Sequence, residues 1–404
     1  MKITKIKLRE LTGTLETKEI FWEERLVRPV DIYPEFRKQS FGDTGFEKSY
    51  SSDNIKESEN LVPINAIFLE IETDEGVSGI GGPLDRAQAY LIKEQLLPLL
   101  IGNNPLATEL IWDQMHRFQV HGRQGTPMMA ISVIDCALWD LKGKFLGEPV
   151  YKIIGGPTRE KMPAYASMLG FNVEDLGLVK ERAQEYQKKG YKAQKWFFRH
   201  GPMSGPEGIK KNILLVKTLR ETLGDDDDIM LDCWQSWDLN YTVMIADQIE
   251  EYRLRWLEEV AMPDRIDTYR QIRESINIPL SGAEHEYTRW GFKRFIDEEA
   301  LDILQPDIYW AGGLSETLKI ANYATVHDLI TIPHGHSSKA GIHFSLTQSP
   351  IHTPYQEYLV KWNDIHQFFL LNPVSPINGF IDIPTETGLG MNLDDSKIEK
   401  ELEF

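Results

Sequence analysis

Two cysteines in 404 residues are too few for a disulfide framework, and Cys136 and Cys233 lack the paired spacing of a zinc site. A reducing compartment fits that scarcity. Cationic residues are also short, with 44 Lys and Arg against 62 Asp and Glu, a net charge of −18. Nucleic-acid affinity comes largely from clustered cations on phosphates, so neither a nucleic acid nor an anionic membrane surface is an expected partner. No apolar run approaches membrane-spanning length. The opening Met1-Lys2-Ile3-Thr4-Lys5-Ile6-Lys7 alternates as a strand does and lacks the apolar stretch of a signal peptide, so a cytoplasmic location is expected.

What is present is a repeat. Between Leu231 and His336, five short apolar runs each end in a polar tip: Asp232, Glu258, Glu284, Asp307 and His334. The gaps are 258 − 232 = 26, 284 − 258 = 26, 307 − 284 = 23 and 334 − 307 = 27 residues, the length of one strand plus one helix. Apolar positions at helical spacing lie between the tips, which is how a parallel sheet with crossover helices is written. Eight strand candidates follow one another at 162–168, 191–198, 229–234, 255–260, 278–284, 301–305, 329–333 and 356–360. A ring of such units brings every C-terminal tip to one end of a barrel, so the three acids and the Asp–His pair are expected to meet in one pocket. A single acid at such a place would be read as a solvated strand end; five residues in phase would not.

Residues 3–11 and 65–80 read as antiparallel strands, the second pair folded at Asp74-Glu75-Gly76, with helical patterns at 86–100 and 107–120. Residues 1–127 are therefore expected to form an α+β capping domain and 128–371 a barrel, opening with the apolar helix 128–145. The tail 372–404, rich in Pro and Gly, is expected to return to the cap. A polar and aromatic stretch over about 12–62, with Trp22, Arg25, Arg28, Tyr33 and Tyr50, reads as a lid. The acidic run Asp225 to Asp228 reads as a solvated loop.

Three carboxylates on neighbouring tips form an oxygen-only set suited to one Mg²⁺ per chain, with positions left open for water and substrate. Such an ion facing a substrate carboxylate stabilises the enediolate left when the adjacent C–H proton departs. His334, one unit beyond Asp307, is the expected base, oriented by that carboxylate. Lys195, at a strand tip, is a candidate contact for the substrate carboxylate. His285 is read equally as a packed rim histidine or a substrate contact. His336 and His200 read first as loop residues near the mouth, with His200 also carried as a contact candidate.

The Asp232, Glu258, Glu284 set, the Asp307–His334 pair and the helix from Ala130 to Lys144 (AISVIDCALWDLKGK) together resemble the enolase superfamily, mandelate racemase-like subgroup. Within it the chain is most similar to acid-sugar dehydratases of the rhamnonate dehydratase type. The motifs are His200-Gly201-Pro202 with Gly208-Ile209-Lys210-Lys211, Leu231-Asp232-Cys233-Trp234 with Asn240-Tyr241, Gln305-Pro306-Asp307 with Trp310 and Gly312-Gly313-Leu314, and Pro333-His334-Gly335. The resemblance covers nearly the whole chain. It implies a modified (β/α)7β barrel capped by both termini, with Asp232, Glu258 and Glu284 as metal ligands, His334 as acid/base and Asp307 as its partner. It also implies Glu357 as a carboxyl group assisting at the substrate carboxylate. Two departures stand out. Lys195-Trp196-Phe197 keeps only the first lysine of a Lys-x-Lys pair, which disfavours a two-base racemase. No histidine precedes His116, so the lid offers Trp22, Arg25 and Arg28 where relatives place a histidine.

The expected activity is β-elimination of water from a small sugar acid to give a 2-keto-3-deoxy acid, by a homo-oligomer. A cycloisomerase opening a 3,6-anhydro-sugar acid would use the same site and intermediate. A non-catalytic barrel is the reading from a different class, and the intact metal set and His–Asp pair argue against it.

Overall fold

Alternation in the first residues does produce a strand. In this computed structural model, which describes residues 1–17, 21–37 and 61–404, β1 (Ile3–Glu16) pairs antiparallel with β2 (Leu61–Thr73). β2 turns back into β3 (Ser78–Leu84) at the expected place, where Gly76 takes φ 75° and its N–H donates to the Thr73 carbonyl at 3.2 Å. The C-terminal strand Lys400–Glu403 pairs antiparallel with the free edge of β1. Residues 18–20 and 38–60 of the expected lid, Tyr50 included, lie outside the described residues.

All eight expected parallel strands form: β4 (Lys161–Ser167), β5 (Ala193–Phe197), β6 (Asp228–Asp232), β7 (Trp256–Glu258), β8 (Leu280–Gly282), β9 (Ile303–Leu304), β10 (Ile330–Thr331) and β11 (Gln356–Leu359). Their order is β10-β9-β8-β7-β6-β5-β4-β11, each neighbour parallel to the next. The sheet curls into a barrel with one seam, between β10 and β11. Across the seam the Thr331 N–H donates to the His352 carbonyl and the Thr353 hydroxyl to the Thr331 carbonyl, both at 2.8 Å. At the opposite end from the tips, Phe380–Asp382 pairs antiparallel with β4.

The pleat places the site. Side chains two residues apart on a strand share a face. Tyr165, Ala193, Met230, Trp256, Ile303 and Ile332 pack together as one apolar cluster drawn from strands all around the ring. Two residues further along the same faces come Ser167, Lys195, Asp232, Glu258, Gln305 and His334, so a polar layer sits on an apolar plug.

The helix Thr126–Leu146 fastens the antiparallel sheet to the barrel. Gly79 of β3 lies so near it that a Cβ there would stand 2.2 Å from the Ala137 carbonyl oxygen. On the barrel side, Asp135 accepts from the Ser315 N–H at 2.9 Å and its hydroxyl at 2.6 Å, while Ser132 accepts from the Gly312 N–H at 2.8 Å. Asp140, fully buried, accepts from the N–H groups of Ile80 at 2.9 Å and Leu389 at 2.8 Å and pairs with Lys144 at 2.7 Å. Among the described residues, no helix is long and apolar enough to cross a membrane.

Because Asp140 joins sheet, helix and tail, Asp140→Ala takes this acceptor from three buried amides, those of Ile80, Leu389 and Met391. It should destabilise the fold by roughly 3–5 kcal/mol. Urea unfolding followed by circular dichroism measures it, and a loss under about 1 kcal/mol would contradict this role.

Candidate active site

At the tips, the polar layer is organised around one buried cation. The Lys195 ammonium, at the end of β5, bonds to Glu258, lies 2.8 Å from Glu357 Oε1 and 3.2 Å from Asp232 Oδ2. Glu258 is held below it, its second oxygen accepting from Trp256 Nε1 at 2.9 Å and Gln305 Nε2 at 2.8 Å. Glu357 accepts the Gly335 N–H at 2.8 Å, which fixes the loop beside His334. Burial would strip the proton from Lys195, but Glu258, Glu357 and Asp232 overcome it and hold its pKa well above the usual value.

The expected Asp–His pair is present. His334 Nδ1 stands 2.8 Å from Asp307 Oδ2, and Nε2 lies 3.4 Å from Glu284 Oε2. Burial lowers the His334 pKa, yet Glu284, the Asp307 hydrogen bond and Glu357 push it up to about 10. The carboxyls respond in kind: burial raises Asp232 to about 6, Glu258 to about 8 and Glu284 to about 7. Carboxyl groups outnumber cations in the cluster, and the ligand atoms it offers are carboxylate oxygens. That chemistry fits a hard divalent cation.

Asp232, Glu284, Lys195 and His334 line one cavity, with His336 beside them. Among the described residues the rest of its wall is aromatic and aliphatic: Phe197, Trp234, Trp310 and Trp362, with Leu26, Leu169 and Leu359. Backbone strain gathers at the mouth. Trp234, Gln235, Glu259 and Ala283, just past three successive tips, all take positive φ, of 40°, 62°, 46° and 72°.

One detail departs from the expected ligand set. Among the described residues, the ligand atoms that lie within 4.8 Å of one another come from Glu259, Glu284 and His285, not from Asp232, Glu258 and Glu284. The physical reason is Lys195, whose ammonium draws Asp232 and Glu258 to itself. Glu259, its backbone turned by the positive φ, reaches His285 Nδ1 at 3.0 Å instead. His285 also meets Gln235 at 2.7 Å, and although burial lowers its pKa, Glu259 lifts it to about 9. The Glu258-Glu259 doublet gives no sequence signal as to which carboxylate faces which way.

The lid candidates are placed differently from expectation. Among the described residues Arg25 donates within its own segment, to Asp31 at 2.7 and 3.2 Å and to the carbonyls of Leu26, Phe36 and Arg37. Arg28 reaches the Phe36 carbonyl at 3.2 Å and lies 3.8 Å from Asp31. A loop without ladder partners must satisfy its buried carbonyls somehow, and arginine does so here. Trp22 packs on Gly170, whose φ of 81° and lack of a Cβ make room for the ring. The described lid residue in the cavity wall is Leu26, which no polarity pattern marked. His200 lies outside that wall, 2.6 Å from Glu174 Oε1, a carboxyl that this bond and Lys211 hold down to about 2. Of the run expected as a solvated loop, Asp225 and Asp226 are exposed, but Asp227 is buried, accepting from Gln187 Nε2 at 2.6 Å, and Asp228 already opens β6; Arg253, Lys192 and Arg255 pair with Asp225, Asp227 and Asp228.

Comparisons with known proteins agree with this architecture. Residues 178–397 match the family model described as enolase C-terminal domain-like, and 62–155 the mandelate racemase / muconate lactonizing enzyme N-terminal domain. The chain is 31% identical over 410 residues to an L-rhamnonate dehydratase of Saccharopolyspora erythraea, covering 97% of each. It is similar to the crystal structure of rhamnonate dehydratase from Gibberella zeae complexed with Mg, with TM-score 0.85, 28% identity, and 98% of this chain and 95% of that one covered. It is also similar to the 3,6-anhydro-D-galactonate cycloisomerase from Zobellia galactanivorans, with TM-score 0.75, 26% identity, and 99% and 100% covered.

Which glutamate of the doublet binds a metal is open to direct measurement. A ligand at a hundredfold its dissociation constant stabilises the native state by about 2.7 kcal/mol, visible as a rise in Tm. Added Mg²⁺ should raise the Tm of the parent protein and of Glu259→Gln but not of Glu258→Gln. The reverse pattern would move the site to Glu259, Glu284 and His285.

Proposed function

The chain belongs to the mandelate racemase / muconate lactonizing enzyme family of the enolase superfamily, and from that premise we propose that it is a Mg²⁺-dependent acid-sugar dehydratase. The carrying observation is the His334–Asp307 pair, with His334 Nε2 on the side of Glu284 and the carboxylate set across the same cavity. Asp232, Glu258 and Glu284 would hold one Mg²⁺ per chain. When bound, the ion would stabilise the charge appearing on the substrate carboxylate and, by neutralising Glu284, loosen the proton on His334.

The protein's own groups supply the rest. Lys195 meets the substrate carboxylate, and Glu357 fixes both that ammonium and the Gly335 amide. His334 Nε2 takes the proton from the α-carbon, while Asp307 keeps Nδ1–H oriented and stabilises the imidazolium. The C–O bond at the β-carbon then breaks, the imidazolium returns its proton to the departing oxygen, and water leaves. The enol that remains tautomerises to a 2-keto-3-deoxy acid. The aromatic and leucine walls exclude bulk water from this transfer.

The apolar walls favour a second reading, in which the leaving oxygen is the ring ether of a 3,6-anhydro-sugar acid and the product is its ring-opened isomer. Likeness to the Zobellia cycloisomerase supports it. Comparing kcat/KM for open-chain hexonic and 6-deoxyhexonic acids with 3,6-anhydro-hexonic acids decides the matter. A preference of several orders of magnitude for the anhydro acids would make the protein a cycloisomerase.

His334→Asn should abolish both 2-keto acid formation and exchange of the α-proton with D2O. Asp307→Asn should lower kcat by roughly three to four orders of magnitude through a misoriented imidazole. Exchange at the parent rate in His334→Asn would place the base elsewhere.

A further inference from the structure

Of the five charged or histidine side chains among the described residues of the cavity wall, four serve the reacting end of the substrate: Lys195, Asp232, Glu284 and His334. The fifth is His336, two residues past the base in the turn Gly335–Ser337. Its ring is buried and lies parallel to that of His334, with an interplanar angle of 4° and 6.2 Å between centroids. Aromatic rings fix it: Trp310 at 5.1 Å, Trp362 at 5.8 Å and His366 at 4.1 Å. Nδ1 is 3.5 Å from the same Asp307 oxygen that orients His334.

A separation of 6.2 Å exceeds the length of a C–C bond several times over, so the two imidazoles address different carbons of one chain. Beside His334, the described wall residues packed on His336 are the aromatic Trp310 and Trp362, and a sugar acid carries hydroxyls well beyond its α- and β-carbons. A buried hydroxyl needs partners. Burial and the facing His366 lower the His336 pKa well below the usual value, against the pull of Asp307, so the ring is a neutral donor–acceptor that matches a hydroxyl rather than a second carboxylate.

Resting on the dehydratase reading, we infer that His336 is a specificity-determining residue that binds a substrate hydroxyl distal to the reacting carbons. It selects sugar acids over short 2,3-dihydroxy acids. The fit rewards the hydroxyl, because an analogue that lacks it forgoes the bond to the imidazole.

The test compares a hexonic acid with 2,3-dihydroxybutanoate in the full-length protein with Mg²⁺, reading the ratio of their kcat/KM values. His336→Phe should lower that ratio by about a hundredfold or more, and His336→Gln, which keeps a donor and an acceptor, should recover much of it. An unchanged ratio in both variants, whether both acids lose activity together or neither does, overturns the inference. Should the parent dehydrate neither acid, the dehydratase reading fails on its own. Calorimetric affinities for the same two acids then judge His336, and equal discrimination by parent and variants refutes its role.

Discussion

An ammonium group buried among carboxylates is the interaction on which the rest of this end of the barrel depends. Lys195 touches acids from β6, β7 and β11, three different strands of the ring. Isolated charges are costly to bury, and breaking such a cluster from either side leaves uncompensated charge. The plug beneath, with Trp256 and Tyr165 as its largest members, keeps water from reaching the group from below. The low dielectric that follows is why Asp232, Glu258 and Glu284 are held at raised pKa values and why a cation has so much to gain there.

The same layer sets the division of labour in the cavity. Charge gathers on Lys195, Asp232, Glu284 and His334, and the other described wall residues are mostly aromatic and leucine, with Leu26 supplied by the segment after β1. That segment is fastened to the barrel mouth by Glu23, which meets Lys361 at 3.1 Å and accepts the Asn172 N–H at 3.0 Å. A substrate with a carboxylate head and a less polar remainder matches this mixture of charged and apolar walls.

Much of this was legible from the chain because two periods carry it. The 23 to 27 residue spacing of Asp232, Glu258, Glu284, Asp307 and His334 fixed their common phase, and a parallel barrel converts phase into proximity. The pleat did the rest, since Trp256 two residues before Glu258 already says which face each occupies. What the chain did not disclose lies where no period operates. Arg25 looked like a donor for substrate and is spent on Asp31 and three carbonyls, because an irregular segment bonds to itself in ways spacing does not encode. Leu26 was unmarked for the converse reason: a lone leucine in a polar loop has no signature. The rotation of Glu259 away from Glu258 turns on a positive φ that glutamate seldom adopts, which composition cannot foretell. His336 read as a loop residue because its neighbours in space, Trp310 and His366, are 26 and 30 residues away along the chain.

The central claim is that Lys195 and a divalent cation share the carboxylates of one barrel mouth. Crystals soaked in Mn²⁺ and measured near the manganese absorption edge locate the ion without reference to turnover. The expected result is a single anomalous peak among the oxygens of Asp232, Glu258 and Glu284, with the Lys195 ammonium drawn back toward Glu357. A peak between Glu259, Glu284 and His285, or none at saturating Mn²⁺, would contradict it.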